Sequence, residues 1–522
     1  MGADKDGTGQ VVREHLPRTI GAWYYPHETT VVMGPTAIVP GSHLFGIDRH
    51  GFPHSEERID EDMAPPKSLE GWRNAITGWN GHALSIFATL GIDPDLGDLP
   101  LAERERRVAA GIKLFGDPTL REHKLVVPAG SLVFKHNDIV HRRCRSGEDG
   151  YTDDGVDWRP MWNLGFTRLA EPAPGALVVA EDDGDDSFEL TEAEAQHPES
   201  AAKLAVWQRV LDWMRGNTAA PPTPAASAEV ESLAAAMLNS DSETERVGSA
   251  YSLGAAVRAG GESDGLALAA LAEGMVHPTE RVRRAATWGI GAAGDGAVPT
   301  LLELLAAAPA EASALSPLSQ QEVTTNAACA LGEAAETATA AIVDRLEQVA
   351  LRTKTELEQQ VAALPAERRA ELESAHDRGP RGWDGLVYAL AEEIPPVPHE
   401  LRKTLAAVPQ ALGYVGQKAM SGQCDAPAVA TRILRLLQGF QEYEDAAKIF
   451  PTHLSGDIAK AKAGRALLSM LAPAAHADRD VPARAQQAAY EVAIGRLREA
   501  RGKTEAQRLV LAAIDGGDSA SV

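Results

Sequence analysis

A motif of small residues recurs through the second half of the chain and restricts the folds that this half can adopt. Its first three copies end at Gly254, Gly291 and Gly332, which are 37 and 41 residues apart. Two weaker copies end at Gly413 and Gly495, 82 residues apart, or about two further periods. A period near 40 with small residues on one helical face indicates a repeated helix pair.

Small residues suit such a repeat because alanine and glycine let helices approach closely, while each pair buries its face against its neighbours. The period is typical of HEAT- or armadillo-like α-solenoids, so we predict a solenoid over 229–515. The segment 281–284, which follows a His-Pro pair, resembles the turn between the helices of one repeat. The more charged stretch 344–378 breaks the rhythm and predicts an elongated helix pair or an insertion. Another kind of alanine-rich bundle would also give approximate echoes, and this alternative stays open.

The first half of the chain has a different composition, and the change falls near residue 220. Before it lie most of the Trp, Phe and His residues, with β-branched strands and Gly/Pro turns. Residues 217–228 are rich in Pro and Ala and predict a semi-extended linker. Ahead of them, 201–216 has apolar residues at helical spacing and predicts an amphipathic helix that closes the first domain. We therefore predict a first domain at 1–216, the linker, and the helical domain at 229–515.

Length, charge and cysteine content bound the class of protein. The chain has 522 residues, which favours more than one domain. A net charge of −24 indicates a surface that repels nucleic acid and anionic membranes, so neither is expected as a partner. Three widely spaced cysteines form neither a disulfide framework nor a zinc motif, which favours the reducing cytoplasm. The first residues are polar, unlike a signal peptide, and no apolar run reaches the roughly 18 residues of a membrane helix.

Two stretches of the first half carry the pattern of an enzyme barrel. Residues 124–141 read as an apolar strand, a Pro-Ala-Gly turn and a second strand with a histidine at its end. Upstream, 33–43 holds a strand that ends in a Pro-Gly-Ser-His turn. Together they resemble the phytanoyl-CoA dioxygenase family of Fe(II)- and 2-oxoglutarate-dependent oxygenases. The resemblance implies a multidomain β + α chain, with a double-stranded β-helix (a jelly-roll or cupin-like barrel) ahead of the α-solenoid. Ser42 and His43 would then fix the turn and line the pocket.

The resemblance also implies roles for individual residues. Such an oxygenase binds iron through a carboxylate and two imidazoles, written as His-x-Asp and a distal histidine. His141 takes the distal place. His136 is the weaker alternative, because a spacing of five puts the two histidines on opposite faces of a regular strand. Arg159 matches the cation that binds the far carboxylate of 2-oxoglutarate, since a guanidinium can donate two parallel hydrogen bonds; Arg168 is the alternative.

The chain departs from the family at the His-x-Asp motif. The nearest match places Asp6 at the aspartate position and Asp4 at the histidine position. His15 is close in sequence, but its context gives no further reason to assign it to the metal. Three explanations stay open: barrel strands that precede this start, a working variant site with two carboxylates and one imidazole, or a degenerate oxygenase kept as a binding module.

The leading prediction is a dioxygenase that hydroxylates a small organic molecule. Iron would be bound by Asp6, His141 and Asp4, and 2-oxoglutarate by Arg159. The solenoid would bind a protein partner or shield the active site. The alternative is a catalytically degenerate barrel fused to a solenoid, which together act as a protein-binding scaffold.

Overall fold

The computed structural model describes a region of β-strands followed by a region of helices. The residues described are 15–30, 33, 35–38, 123–136, 139, 141–143, 161–167, 172, 200–216, 225–306, 315, 317–363, 365–367, 396–420, 424, 428–433 and 435–437. Within them, the strands lie between Thr19 and Thr167, and the helices that have defined ends begin at Ser200.

The strands form two antiparallel sheets of three strands each. They are β1 (Thr19–Tyr25), β2 (Thr36–Ile38), β3 (His123–Lys124), β4 (Ser131–His136), β5 (His141–Arg143) and β6 (Trp162–Thr167). The first sheet has the order β4-β1-β6 and the second the order β3-β2-β5. Among the described strands, the chain changes sheet from each strand to the next, except from β2 to β3.

The Pro-Ala-Gly turn predicted before β4 is confirmed. Gly130 has a positive φ of 81°, a conformation that favours glycine. Its N–H donates to the carbonyl oxygen of Tyr25 at 2.7 Å, and the Ser131 hydroxyl donates to the carbonyl oxygen of Pro128, also at 2.7 Å. The turn therefore fixes the start of β4 against the end of β1, with Tyr25 opposite Ser131.

A small apolar core lies between the two sheets. Trp23 and Tyr25 on β1 are buried and pack with Leu125, which directly follows β3 of the other sheet. On β4 the exposure alternates, as a strand with one buried face requires. Leu132 and Phe134 are exposed, whereas Lys135 on the opposite side is buried. The interior of the β-region is therefore formed by one face of each sheet.

The helices pack in two layers around one shared core. They are α1 (Ser200–Met214), α2 (Ser227–Asn239), α3 (Glu243–Ala259), α4 (Asp264–Met275), α5 (Glu280–Ala292), α6 (Val298–Ala306), α7 (Pro317–Ala334), α8 (Ala340–Ala363) and α9 (Pro396–Met420). Helices α3, α5, α7 and α9 contact one another in that order. Helices α2, α6 and α8 pack mainly on one member of this row, and α4 packs on both α3 and α5. The apolar core runs through all these pairs, from Val206 on α1 to Leu437.

Close helix contacts occur at two glycines of the sequence repeat, Gly254 and Gly332, and at Gly289, two residues before the repeat glycine Gly291. A Cβ added to Gly254 on α3 would lie 2.2 Å from the carbonyl oxygen of Gly289 on α5. A Cβ on Gly289 would lie 2.3 Å from the carbonyl oxygen of Ala250. Between α7 and α9, a Cβ on Gly332 would lie 2.7 Å from the Cα of Ala411. The expectation that small residues allow close helix approach is therefore confirmed at these contacts.

Buried arginines at equivalent places in two repeats bind the turn that precedes their own helix. Arg246 donates to the carbonyl oxygen of Ser240 at 2.6 Å, and Arg283 donates to that of His277 at 2.8 Å. In both cases the acceptor lies six residues earlier. These carbonyl groups precede the helix and accept no hydrogen bond from within it. The guanidinium therefore supplies the hydrogen bond that the helix cannot. The two repeats thus share this hydrogen bond as well as their sequence motif.

Two boundaries differ slightly from those predicted. Helix α2 begins at Ser227, inside the predicted linker, and Ala225 already packs against the helical core. The charged stretch that breaks the repeat begins within α8, a helix of 24 residues. In the part of the chain that the structure describes, none of the helices combines the length and apolarity that crossing a membrane would require.

Candidate functional site

The structure describes only part of the predicted iron site. Asp4, Asp6 and Arg159 lie outside the described residues, as do Ser42 and His43 of the Pro-Gly-Ser-His turn. The backbone of His141 is described: it begins β5 and pairs with Ile38 of β2. The predicted ligand set of Asp6, His141 and Asp4, and the predicted 2-oxoglutarate cation, therefore stay predictions.

The argument that separated His141 from His136 by strand parity was wrong, because no single strand contains both residues. His136 ends β4 in the first sheet, and His141 begins β5 in the second. His136 lies on the side of β4 that carries the exposed Leu132 and Phe134. The chain therefore changes sheet between the two histidines, and the alternation of a regular strand does not apply across that crossing.

Arg159 was expected to open a strand beside the one that bears His141. The next strand that the structure describes is β6, which begins at Trp162 and pairs with β1 in the first sheet. His141 lies on β5, in the second sheet. The two strands are therefore not hydrogen-bonded neighbours, because consecutive strands after β3 alternate between the sheets.

The interior face of the first sheet contains polar groups that the motifs did not identify. Lys135 is 5% exposed, and its Nζ lies 4.5 Å from the centre of the Trp23 ring. The Tyr25 hydroxyl donates to Oγ1 of Thr36 on the other sheet at 3.5 Å. An ammonium over an aromatic face is stabilised electrostatically. Among the described residues, the space between the sheets thus combines aromatic walls with a buried cation.

A signal for Lys135 was present in the sequence. Residues 131–136 alternate, and period-two spacing puts Lys135 on the same side as Val133. The family motifs contain histidines and arginines at this place, so they give no role to Lys135. Its burial also depends on β1 pairing with β4, which local sequence does not reveal.

A second cluster of polar residues forms where residues 15–18 meet the helices. His15 is buried, its ring lies 4.3 Å from that of Trp288, and its Nδ1 is 2.7 Å from the hydroxyl oxygen of Tyr251. Arg18 forms an ion pair with Glu333, and its guanidinium lies 4.2 Å from the centre of the Tyr414 ring. His15, which the sequence did not assign to the metal despite its nearness to Asp4 and Asp6, packs against α3 and α5.

The helix predicted to close the first domain takes part in this cluster. Val210 and Trp213 of α1 pack with Leu16, while Val206 of the same helix belongs to the core of the helical region. Helix α1 also packs along α3. These contacts join α1 to the helical row as well as to the segment before β1.

A small cavity of about 40 Å³ lies within this cluster, between His15, Arg209, Tyr251, Trp288 and Glu333. That is room for a few water molecules. Burial raises the pKa of the Tyr251 hydroxyl, an effect that the nearby Arg209 opposes. Burial likewise lowers the pKa of Arg209, and the positive charge of Arg258 lowers it further. Tyr251 is therefore neutral when it hydrogen-bonds to His15.

Comparison with known proteins adds no relative, because no family model, no curated protein and no solved structure matches the chain. The resemblance to phytanoyl-CoA dioxygenases therefore depends on the sequence motifs.

Proposed function

We propose that the chain is an Fe(II)- and 2-oxoglutarate-dependent dioxygenase of the phytanoyl-CoA dioxygenase type, which hydroxylates a small organic molecule in the cytoplasm. Its barrel would be a double-stranded β-helix, and its helical region a HEAT-like α-solenoid. The observation that carries the proposal is the strand order, together with the place of His141 in it.

The strand order supports a jelly roll because the chain passes back and forth between two antiparallel sheets that enclose an apolar core. In a simple meander each strand would instead pair with the next along the chain. Here β1 is central in one sheet and β2 in the other, and β4, β5 and β6 then join the sheets in turn. His141, the candidate distal ligand, begins β5 beside the central strand β2.

The candidate donors suit ferrous iron chemically. The candidate ligands are the carboxylates of Asp4 and Asp6 and the imidazole of His141. In the hard–soft classification they are hard or borderline ligands, which Fe(II) accepts. Among the described residues, no three His, Cys, Asp or Glu side chains are grouped so as to hold a metal ion. When bound, iron and 2-oxoglutarate would supply oxygen activation. The chain itself would hold the metal, bind the co-substrate carboxylate through Arg159, and surround the substrate with Trp23 and Tyr25.

The proposal for the helical region depends on the repeated contacts. Close glycine contacts recur between successive helices of the row, and the arginine-to-turn hydrogen bond recurs in two repeats. Repetition of both is typical of stacked helix pairs. We infer that this region binds a protein partner. The binding surface would be the part of the helical region that residues 15–18 and α1 do not cover.

The first test is an anaerobic titration of the purified full chain with Fe(II) and 2-oxoglutarate, followed by the visible metal-to-ligand charge-transfer band. The parent is expected to develop the band and His141→Ala to lose it. His136→Ala is the matched control, since it removes a neighbouring imidazole on the outer side of β4, and it should keep the band. Arg159→Ala should need at least about tenfold more 2-oxoglutarate, the loss expected for a charged hydrogen bond.

Absence of the band in the parent at saturating ligand would reject the dioxygenase proposal. The degenerate barrel would then be the better description, and the protein partner of the helical region would become the function to identify. A band that survives His141→Ala but not His136→Ala would reject the ligand assignment and keep the activity.

A further inference from the structure

The outer face of the first sheet carries large apolar side chains that are exposed. Leu132 and Phe134 on β4 are 47% and 61% exposed, and Trp162 and Leu164 on β6 are 61% and 39% exposed. Single exposed leucines are ordinary on a protein surface, but adjacent apolar side chains that form a patch mark an interaction site. The pairing of the strands decides whether these four side chains are adjacent.

The first row of this face crosses the sheet at Tyr24 of the central strand β1. Tyr24 lies opposite Leu132 of β4 on one side and opposite Trp162 of β6 on the other. The ring centres of Tyr24 and Trp162 are 5.6 Å apart, so the two aromatic side chains are in contact. This row is therefore apolar and largely aromatic across all three strands.

The second row crosses the sheet at Ala22, two residues earlier on the same face of β1. Ala22 lies opposite Phe134 on β4 and opposite Leu164 on β6. The two rows are neighbours, so their side chains form one surface across the sheet. We call this surface the outer patch, and its members are Ala22, Tyr24, Leu132, Phe134, Trp162 and Leu164.

The outer patch contains no charged side chain, although the chain as a whole has a net charge of −24. Two copies of so acidic a chain repel each other, and they associate most easily through a contact that is free of charge. A different protein that recognised this chain by its charge would use basic side chains, for which the outer patch offers no partner. The chemistry of the patch therefore favours a second copy, which presents the same apolar surface across a two-fold axis.

The size of the outer patch fits a weak dimer. A fully exposed aromatic side chain presents about 150–250 Å², so Phe134 and Trp162 at 61% each expose roughly 250 Å² together. The two leucines bring the patch to the order of 400 Å² per copy. Two copies would thus bury about 800 Å² with these side chains, which is the size of a weak and reversible interface.

We propose that the outer patch is the interface of a homodimer, in which the first sheets of two copies pack face to face. Two apolar sheet faces pack about 10 Å apart, as they do in a β-sandwich. The interface lies on the side of β1 opposite Trp23 and Tyr25, so it does not use the interior where the oxygenase site is proposed. The dimer is therefore independent of the oxygenase assignment.

The test is sedimentation velocity of the full chain over about 1–100 µM, the range in which a weak dimer dissociates. The parent is expected to change from monomer to dimer across this range. Phe134→Glu adds a carboxylate from each copy to the interface and should raise the dissociation constant at least about tenfold. Leu351→Glu is the matched control, because Leu351 is 51% exposed on α8, outside the outer patch, and this variant should dimerise like the parent.

A second variant and the dependence on salt complete the test. Phe134→Thr keeps a strand-forming residue on β4, removes the ring and should also weaken the dimer. Raising NaCl from about 0.05 to about 0.5 M should strengthen the parent dimer, because salt screens the repulsion between acidic copies and leaves an uncharged contact intact. A parent that stays monomeric, a dimer that salt weakens, or a dimer unchanged in Phe134→Thr or in folded Phe134→Glu would each overturn the proposal.

Discussion

At the residue scale, the buried arginines of the helical region are the clearest example of a side chain that completes the backbone. Arg283 is 2% exposed, donates to the carbonyl oxygens of His277 and Pro278, and also pairs with Glu322 of the next helix pair. It thus joins its own turn to the neighbouring repeat.

We predict that Arg283→Leu lowers the free energy of unfolding by about 3–5 kcal/mol, because it leaves two turn carbonyls and a largely buried carboxylate without their donor. Arg345→Leu is the control. That arginine contacts Gln348 on the surface of α8, and its replacement should change stability by less than about 0.5 kcal/mol. Urea unfolding followed by far-UV circular dichroism measures both. Equal shifts in the two variants would contradict the role of Arg283.

At the element scale, the spacing of the helices depends on glycines that have no room for a methyl group. The row of α3, α5, α7 and α9 brings backbones so close that a Cβ on Gly289 would meet the carbonyl oxygen of Ala250 at 2.3 Å. A backbone carbonyl cannot rotate away as a side chain can, so the helices themselves must separate. The helix-forming advantage of alanine, about 1 kcal/mol over glycine, opposes this cost.

We predict that Gly289→Ala is destabilising, because overpacking of about 1–3 kcal/mol or more outweighs the gain in helix propensity. Gly265→Ala is the matched control, since Gly265 lies in α4 with nothing within 4 Å of an added Cβ. It should stabilise the protein by up to about 1 kcal/mol. Thermal unfolding of the two variants is therefore expected to shift in opposite directions, and a stabilising Gly289→Ala would show that the helices separate at little cost.

At the scale of the whole molecule, the segment before β1 attaches the first sheet to the helical row. Arg18 immediately precedes β1, pairs with Glu333 on α7 and lies over the ring of Tyr414 on α9. His15 contacts α3 and α5. Because β1 is the central strand of its sheet and carries Trp23, the helical row supports the strand that forms the wall of the proposed ligand site.

We predict that Arg18→Met speeds backbone amide exchange in β1 by at least about tenfold, equivalent to about 1.4 kcal/mol of local stability. Lys354→Met removes an exposed ion pair with Glu358 on α8 and should leave exchange in β1 unchanged. Hydrogen–deuterium exchange with mass spectrometry of the peptide that covers Thr19–Tyr25 measures the exchange rate in each variant. Unaltered exchange in Arg18→Met would mean that the sheet holds β1 without help from the helices.

The local features of this protein follow from its amino-acid sequence alone. Helical periodicity and the recurring glycines predicted close helix contacts, and Pro128-Ala-Gly130 predicted the turn into β4. These predictions succeeded because a residue's preferred backbone conformation, and the face it occupies on its own helix or strand, depend on its near neighbours. Period-two alternation likewise placed Lys135 with Val133, although the motif comparison did not use it.

Which distant surfaces meet depends on the folding of the whole chain. The division of residues 131–143 between two sheets invalidated the parity argument for His136 and His141, because a change of sheet leaves no periodic signal. His15 meets Tyr251 across 236 positions of sequence, and Arg18 meets Glu333 across 315. The local sequence pattern indicates that a side chain is suited to burial, but it does not indicate which residues will cover that side chain. That choice follows from the packing of the whole chain, in which many surfaces compete for each partner.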